Sequence, residues 1–279
     1  MAVKSNKPIT TPPQDTSVNQ PINWQEPDRS DNKKAVNVLN ENKYTFCRNS
    51  YTGSGGYRTG YYLVPHALET TYPERRQLAS YNNYIQPIVN AMVDPVFSKE
   101  IKRDVSGSGK ALYESFLQDV DGCGNDINTF MSTVAKMANL NGVEFIVMDS
   151  TPFSGTVDEQ IRDRAFPYVY NVGADMILDY NVYGDIKSRY VYIRAENVIV
   201  EKVSYKAATK WTTTTSQVVY WKDDKWVEYG EPTEHNLGVI PIIAVYSTPQ
   251  TEDFLVEPRL YDLCKMNWFV YNLDSERRE

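Results

Sequence analysis

The segment Ser106-Gly107-Ser108-Gly109-Lys110 has the residue types of a phosphate-binding loop, in which backbone N–H groups surround phosphate oxygens and a lysine reaches the outer ones. The full pattern needs Gly where Asp104 stands and Ser or Thr where Ala111 stands, so it is read as a linker before a helix starting near Lys110. Asp119-Val120-Asp121-Gly122-Cys123-Gly124 has the alternating oxygen donors and the turn glycine of a calcium loop. Cys123 occupies a ligand position, and Phe130 stands where the bidentate Glu belongs. Gly53-Ser54-Gly55-Gly56 follows no strand and is too short for a dinucleotide fingerprint, so it reads as a turn. The two histidines, His66 and His235, lie in different regions, which leaves zinc and nucleophilic sites without their usual members. Asp223-Asp224 falls in a hairpin loop, where solvation favours two ordinary ionised acids. No catalytic residue, cofactor-binding residue or metal ligand is assigned, and no nucleic-acid contact is identified.

Composition sets wider bounds. Of 279 residues, 41% are apolar and 23% charged, which suits a folded chain with room for about two domains. Lys plus Arg number 29 against 36 Asp plus Glu, and a net charge of -7 opposes tight wrapping of DNA, because displacing counterions needs a basic surplus. The 21 tyrosines are accordingly read as core and interface residues rather than as base-stacking platforms. Cys47, Cys123 and Cys264 are odd in number and far apart, define no disulfide framework, and point to a reducing compartment. No secretory leader and no run near the ~20 apolar residues of a membrane span is present, so the protein is expected to be soluble and made in the cytoplasm.

The elements follow from periodicity. Residues 1–29 hold five of the fifteen prolines among polar residues with few aliphatics and are read as a flexible arm, with Trp24 as its one aromatic residue. Residues 30–150 read as mainly helical. Ser30 can cap a helix through Ala35, Val36, Val38 and Leu39, and Pro73 opens a second in which Leu78, Tyr81, Ile85, Ile88, Val89, Met92 and Val96 recur at helical spacing, kinked at Pro87. Asn125 or Asp126 can cap a third with the stripe Ile127, Phe130, Met131, Val134, Ala135 and Ala138, closed by Gly142 before a buried strand over Val143 to Met148. Residues 151–250 turn β-rich, with strands expected over Arg189 to Arg194, Asn197 to Ser204 and Lys210 to Tyr220. A hairpin through Lys222-Asp223-Asp224-Lys225 should set Trp221 opposite Trp226, and Pro241 to Tyr246 reads as a short buried strand. Residues 251–279 carry a helix from about Pro258, apolar on more than one face and ending without a stop signal, as if the chain were cut within it. The fold class is α+β.

Five segments, in order, resemble tailed-bacteriophage portal proteins: TGYYLVPHALETTYPERRQLASYNNYIQPIVNAMVDPVFSK from Thr59, DVDGCGNDINTFMSTVAKMANLNGVEFIVMDSTP from Asp119, RAFPYVYNVGADMILDY from Arg164, HNLGVIPIIAVY from His235 and LYDLCKMNWFVYNLDSE from Leu260. The resemblance spans about Thr59 to Glu279 and rests on order and spacing, not on one motif. It implies the N-terminal wing of a portal subunit, with 30–150 and 151–250 as wing regions and 251–279 as a helix leading towards the stem. The rest of the stem, the clip and the crown would follow. It further implies a ring, by family pattern of twelve copies, at a capsid vertex of the virion. The ring would be assembled in the bacterial host cytoplasm, would pass double-stranded DNA in packaging and ejection, and would join head to tail. Implied partners are other copies of the chain, capsid and scaffolding proteins, the large terminase subunit, and tail or adaptor proteins. No membrane, cofactor or enzymatic activity is implied. The alternative from the residues alone is a soluble α+β nucleotide-binding protein or enzyme with a degenerate phosphate loop at Lys110. A stand-alone β-rich interaction module is a third reading.

Overall fold

A computed structural model describes residues 38, 42–66, 69–99, 101–107, 109–150, 155–163, 165–235, 237–249 and 253–277. The arm over 1–29 with Trp24, and the Ser30 cap with most of the helix expected behind it, lie outside the described residues. Val38, from that helix, is helical and buried.

The helices are α1 (Lys43–Thr52), α2 (Gly56–Thr59), α3 (Tyr72–Leu78), α4 (Ile85–Phe97), α5 (Lys110–Gln118), α6 (Ile127–Asn141), α7 (Val157–Arg162) and α8 (Tyr261–Glu276). The strands are β1 (Val143–Asp149), β2 (Tyr168–Gly173), β3 (Ile177–Asn181), β4 (Tyr190–Val200), β5 (Val203–Trp211), β6 (Thr215–Lys222), β7 (Lys225–Glu234) and β8 (Ile242–Tyr246). They form a three-stranded sheet in the order β2-β1-β8 and a five-stranded sheet in the order β3-β4-β5-β6-β7. The fold is α+β, with helices first, an antiparallel β-rich part after them, and a helix last.

The chain divides into two units that interleave in sequence. A sheet unit takes Asp104–Phe130 and Phe145–Val245, whereas a helical unit takes the described residues up to Arg103, then Met131–Glu144, and the chain from Tyr246 onward. The linear division at 150 and 250 drawn from composition therefore follows the change in periodicity rather than the spatial units. Both α6 and β1 begin in one unit and end in the other.

In the sheet unit the five strands form an antiparallel meander. Leu178, Ala208 and Val219 are its buried centre, flanked by Tyr192 and Trp226. Two turns fix the register. Asp223 and Asp224 have φ of 51° and 58°, and Glu201 and Lys202 have φ of 52° and 68°. Positive φ at both central residues is the two-residue hairpin turn whose twist matches that of the strands. The first turn pairs Trp221 directly with Trp226, ring centroids 5.0 Å apart at 77°, as the sequence predicts. The second turn overturns the strand expected over Asn197 to Ser204, because the chain reverses at Glu201-Lys202. The strand expected over Lys210 to Tyr220 is also divided. Thr212 turns the chain there, its hydroxyl accepting the Thr215 N–H at 2.9 Å.

In the helical unit, Phe46, Cys47, Tyr62, Leu63, Ile85, Val89, Leu140, Cys264 and Trp268 form the core. Asn42 caps α1 by accepting the Tyr44 N–H, and Gly53 at φ 63° closes it. The kinked helix expected from Pro73 to Val96 is two helices joined by a non-helical link over 79–84. Asn83 accounts for the break: its Oδ1 accepts the N–H groups of Ile85 and Gln86, at 3.1 and 3.0 Å, so it starts α4 afresh. Pro87 then falls in the first turn of α4, where it costs no hydrogen bond. Asp126, rather than Asn125, caps α6 by accepting the Thr129 N–H at 2.9 Å, and Gly142 at φ 83° ends it as predicted. The strand at Pro241 to Tyr246 is only half-buried, with Ile243 exposed.

Candidate functional site

The sequence singled out several groups, and the structure keeps them apart. His66 pairs through Nε2 with Glu276 at 2.9 Å on the helical unit, while His235 lies in the sheet unit with its Nε2 3.2 Å from the Thr212 carbonyl. Lys110 opens α5 with no strand before it and lies 3.7 Å from Glu114 one turn on, an ordinary helical ion pair. Ser108 of that loop lies outside the described residues. Asp121 accepts the N–H groups of Cys123 and Asn125 and the Asn125 side-chain amide, and Asp119 accepts the Gly124 N–H at 2.8 Å. These carboxylates fold the loop back on itself, and their bonds to N–H groups are ones that a calcium ion would have to displace. Asp223 and Asp224 form the hairpin turn. Among the described residues no group of three or more His, Cys, Asp or Glu could hold a metal ion.

Two arrangements were not legible from spacing. Cys47 and Cys264, 217 positions apart, are both buried free thiols that meet between α1 and α8. The hydrogen bond from Cys264, together with burial, pushes the Cys47 thiol far above its ordinary range. The second arrangement surrounds Arg75, whose guanidinium is buried. It bonds both oxygens of Glu69, the Ser275 hydroxyl at 2.8 Å and the Val64 carbonyl at 2.8 Å. Burial opposes ionisation of Glu69, but Arg75 and the His66 N–H outweigh it and hold the carboxyl below its ordinary value.

Beside this ion pair, on the same unit, lies a cleft of about 500 Å³. Its walls include Tyr57, Arg58 and Thr59 from α2, Arg76 and Gln77 from α3, and Tyr271 from α8. Arg76 Nη2 donates to the Thr59 carbonyl at 2.6 Å. Gly60, at φ 71°, permits this: a Cβ there would sit 2.5 Å from Arg76 Nε.

No family model matches the chain. Toxin B of Clostridioides difficile is 23% identical to it over 172 residues, 57% of this chain and 7% of the toxin. The chain thus spans a small fraction of that relative's length, and the similarity assigns neither family nor activity.

The outer faces of two helices complete the inventory. On α4, Ile85, Val89 and Val93 are buried, while Ile88, Met92 and Val96 are exposed in line with Tyr84 just before the helix, Val96 by 65%. On α8, Cys264, Asn267, Trp268, Tyr271 and Ser275 are buried, while Met266, Phe269, Val270 and Leu273 are exposed, Met266 by 64%. The spacings i, i+4, i+8 and i, i+3, i+4, i+7 make each set one stripe of a helix. Among the described residues no helix is long and apolar enough to cross a membrane.

Proposed function

We propose that the chain is the wing region of a tailed-bacteriophage portal subunit, a ring component that conducts double-stranded DNA during packaging and ejection and joins capsid to tail. It works as a structural part and not as an enzyme; the ATP chemistry of packaging belongs to the terminase docked on the ring. The observation that carries the reading is the pair of apolar stripes on α4 and α8. Each helix already buries one face in its own unit and presents a second, as a subunit built to be flanked by copies of itself would. The ordered segments from Thr59 to Glu276 that resemble the portal wing give that surface its context.

Closed rings arise from head-to-tail contacts, in which one surface of a subunit meets a different surface of the next. Two separate apolar stripes suit this better than one self-complementary patch. Mass photometry of the complete gene product tests the proposal. A discrete species of about ten or more subunits supports it, and a stable monomer or dimer at micromolar concentration sinks it.

The nucleotide-binding alternative gains nothing from the geometry, since no strand leads into the loop before Lys110, as a phosphate loop requires, and the lysine lies 3.7 Å from Glu114.

A further inference from the structure

We propose that Cys47 and Cys264 form a modification site: the pair closes into a disulfide when hydrogen peroxide oxidises the chain, and the bond ties α8 covalently to α1.

Packing register is the first argument. Phe46, beside Cys47 on α1, sets its ring against Tyr261 and Trp268 of α8, with centroids 5.9 and 6.5 Å away. Those two residues stand three before and four after Cys264, so all three share one face of the helix. One turn earlier on α1, Lys43 Nζ lies 5.4 Å from the centre of the same Tyr261 ring. These contacts bracket Cys264 on α8 and reach it from the part of α1 that carries Cys47. Both thiols are fully buried in a single core cluster and share a hydrogen bond. Thiols already in contact leave side-chain rotation as the main movement that a disulfide requires.

The chemistry balances with peroxide as the oxidant. One thiolate attacks a peroxide oxygen; an S–O bond forms, the O–O bond breaks, and a sulfenic acid and hydroxide result. The second thiolate attacks that sulfur, so the S–S bond forms as the S–O bond breaks and a second hydroxide leaves. The two thiol protons turn both hydroxides into water, and two electrons have passed from sulfur to oxygen.

Burial makes the site conditional. The hydrogen bond from Cys264, together with burial, keeps the Cys47 thiol protonated in the closed core, and only a thiolate reacts. Oxidation therefore follows opening of the helix pair. Leu260 precedes α8 without a side-chain cap, and Cys264 lies in the first turn behind it. A helix end of that kind frays before its middle does. A closed core is thus spared, and a loosened one is fixed. The bond closes a long stretch of chain, which restricts the unfolded state most.

The test uses the whole chain carrying Cys123→Ser, because Cys123 is exposed and would cross-link copies. It is treated with hydrogen peroxide in buffer and in about 2 M urea, alkylated, digested without reductant and read by mass spectrometry. A linked Cys47–Cys264 peptide is expected, formed faster in urea by about tenfold because opening comes first. The oxidised protein should show a higher urea midpoint, which dithiothreitol returns to that of the untreated chain. Cys264→Ser in the same background should show no such rise; a rise there would assign the effect to another oxidation and overturn the proposal. It is equally overturned if the two cysteines oxidise singly to sulfinic acids, if the linked peptide forms no faster in urea, or if none forms under either condition.

Discussion

The clearest consequences at the residue scale concern charge and backbone angle. Asp179 is buried on β3, and desolvation raises its carboxyl above the ordinary value even though the Tyr180 N–H and the Tyr190 hydroxyl pull it down. A folded-state value above the unfolded one contributes stability below the unfolded value, near pH ~4, and loses it as pH rises through the folded one. At neutral pH the ionised group therefore opposes folding. Asp179→Asn keeps an acceptor oxygen and removes the charge, so urea melts should find it more stable than the parent at pH ~7, with the gap closing towards pH ~3.5. A gap independent of pH would contradict this. Asp224 sits at φ 58°, where a side chain costs roughly 1–2 kcal/mol, less the extra chain entropy that glycine brings. Asp224→Gly should therefore stabilise the sheet unit by about 1 kcal/mol, and a midpoint shift in the opposite direction would show that the turn is not strained. The Asp-Asp turn and its facing tryptophans were legible because a hairpin is encoded locally. Asp179 was not, since its burial depends on the partner strand β4.

Elements were legible where caps and period agree, and misread where a side chain overrules the period. Asp126 and Gly142 bracket α6 in the sequence as they do in the structure, but Asn83 cuts an otherwise continuous stripe into α3 and α4, which hydrophobic spacing cannot reveal. Thr156 and Glu159 form a capping box that starts α7, a signal present in the sequence as Thr-x-x-Glu but followed by no apolar run. Phe130 on α6 is buried, and Phe130→Ala should cost about 3–5 kcal/mol in a denaturant melt. A loss near zero would mean that the stripe of α6 has no partner. The Arg75–Glu69 pair ties α3 to the segment after Val64 and, through Ser275, to α8. Removing one member leaves a buried charge, so Arg75→Met should cost about 3–5 kcal/mol. Glu69, held below its ordinary value, contributes stability that is present above its unfolded value and is lost as pH falls through the folded one. Glu69→Gln should flatten that acid limb below pH ~4 in a melt against pH. No sequence rule links residues 69, 75 and 275, which is why both this pair and the cleft beside it escaped a reading by motif.

At the scale of the whole molecule, the sequence shows which residues are apolar but not which of them its own fold leaves uncovered. By its sequence the helix from Pro258 is apolar on more than one face, and the structure divides those faces. Cys264, Trp268 and Tyr271 belong to the core, and Met266, Phe269, Val270 and Leu273 do not. Residues that stabilise only an assembly can be replaced without harm to the subunit, whereas core residues cannot. Met266→Lys combined with Leu273→Lys should therefore leave the unfolding free energy of the isolated chain within about 0.5 kcal/mol of the parent, the range of ordinary surface substitutions. On the proposed portal reading, the same two changes should abolish ring assembly, because two ammonium groups would have to be desolvated in every contact between subunits. Mass photometry reads the second outcome and a denaturant melt the first. A ring that survives both lysines would remove α8 from the subunit contact and leave the α4 stripe to carry it alone. A subunit that unfolds would mean that this face belongs to the core of the chain itself.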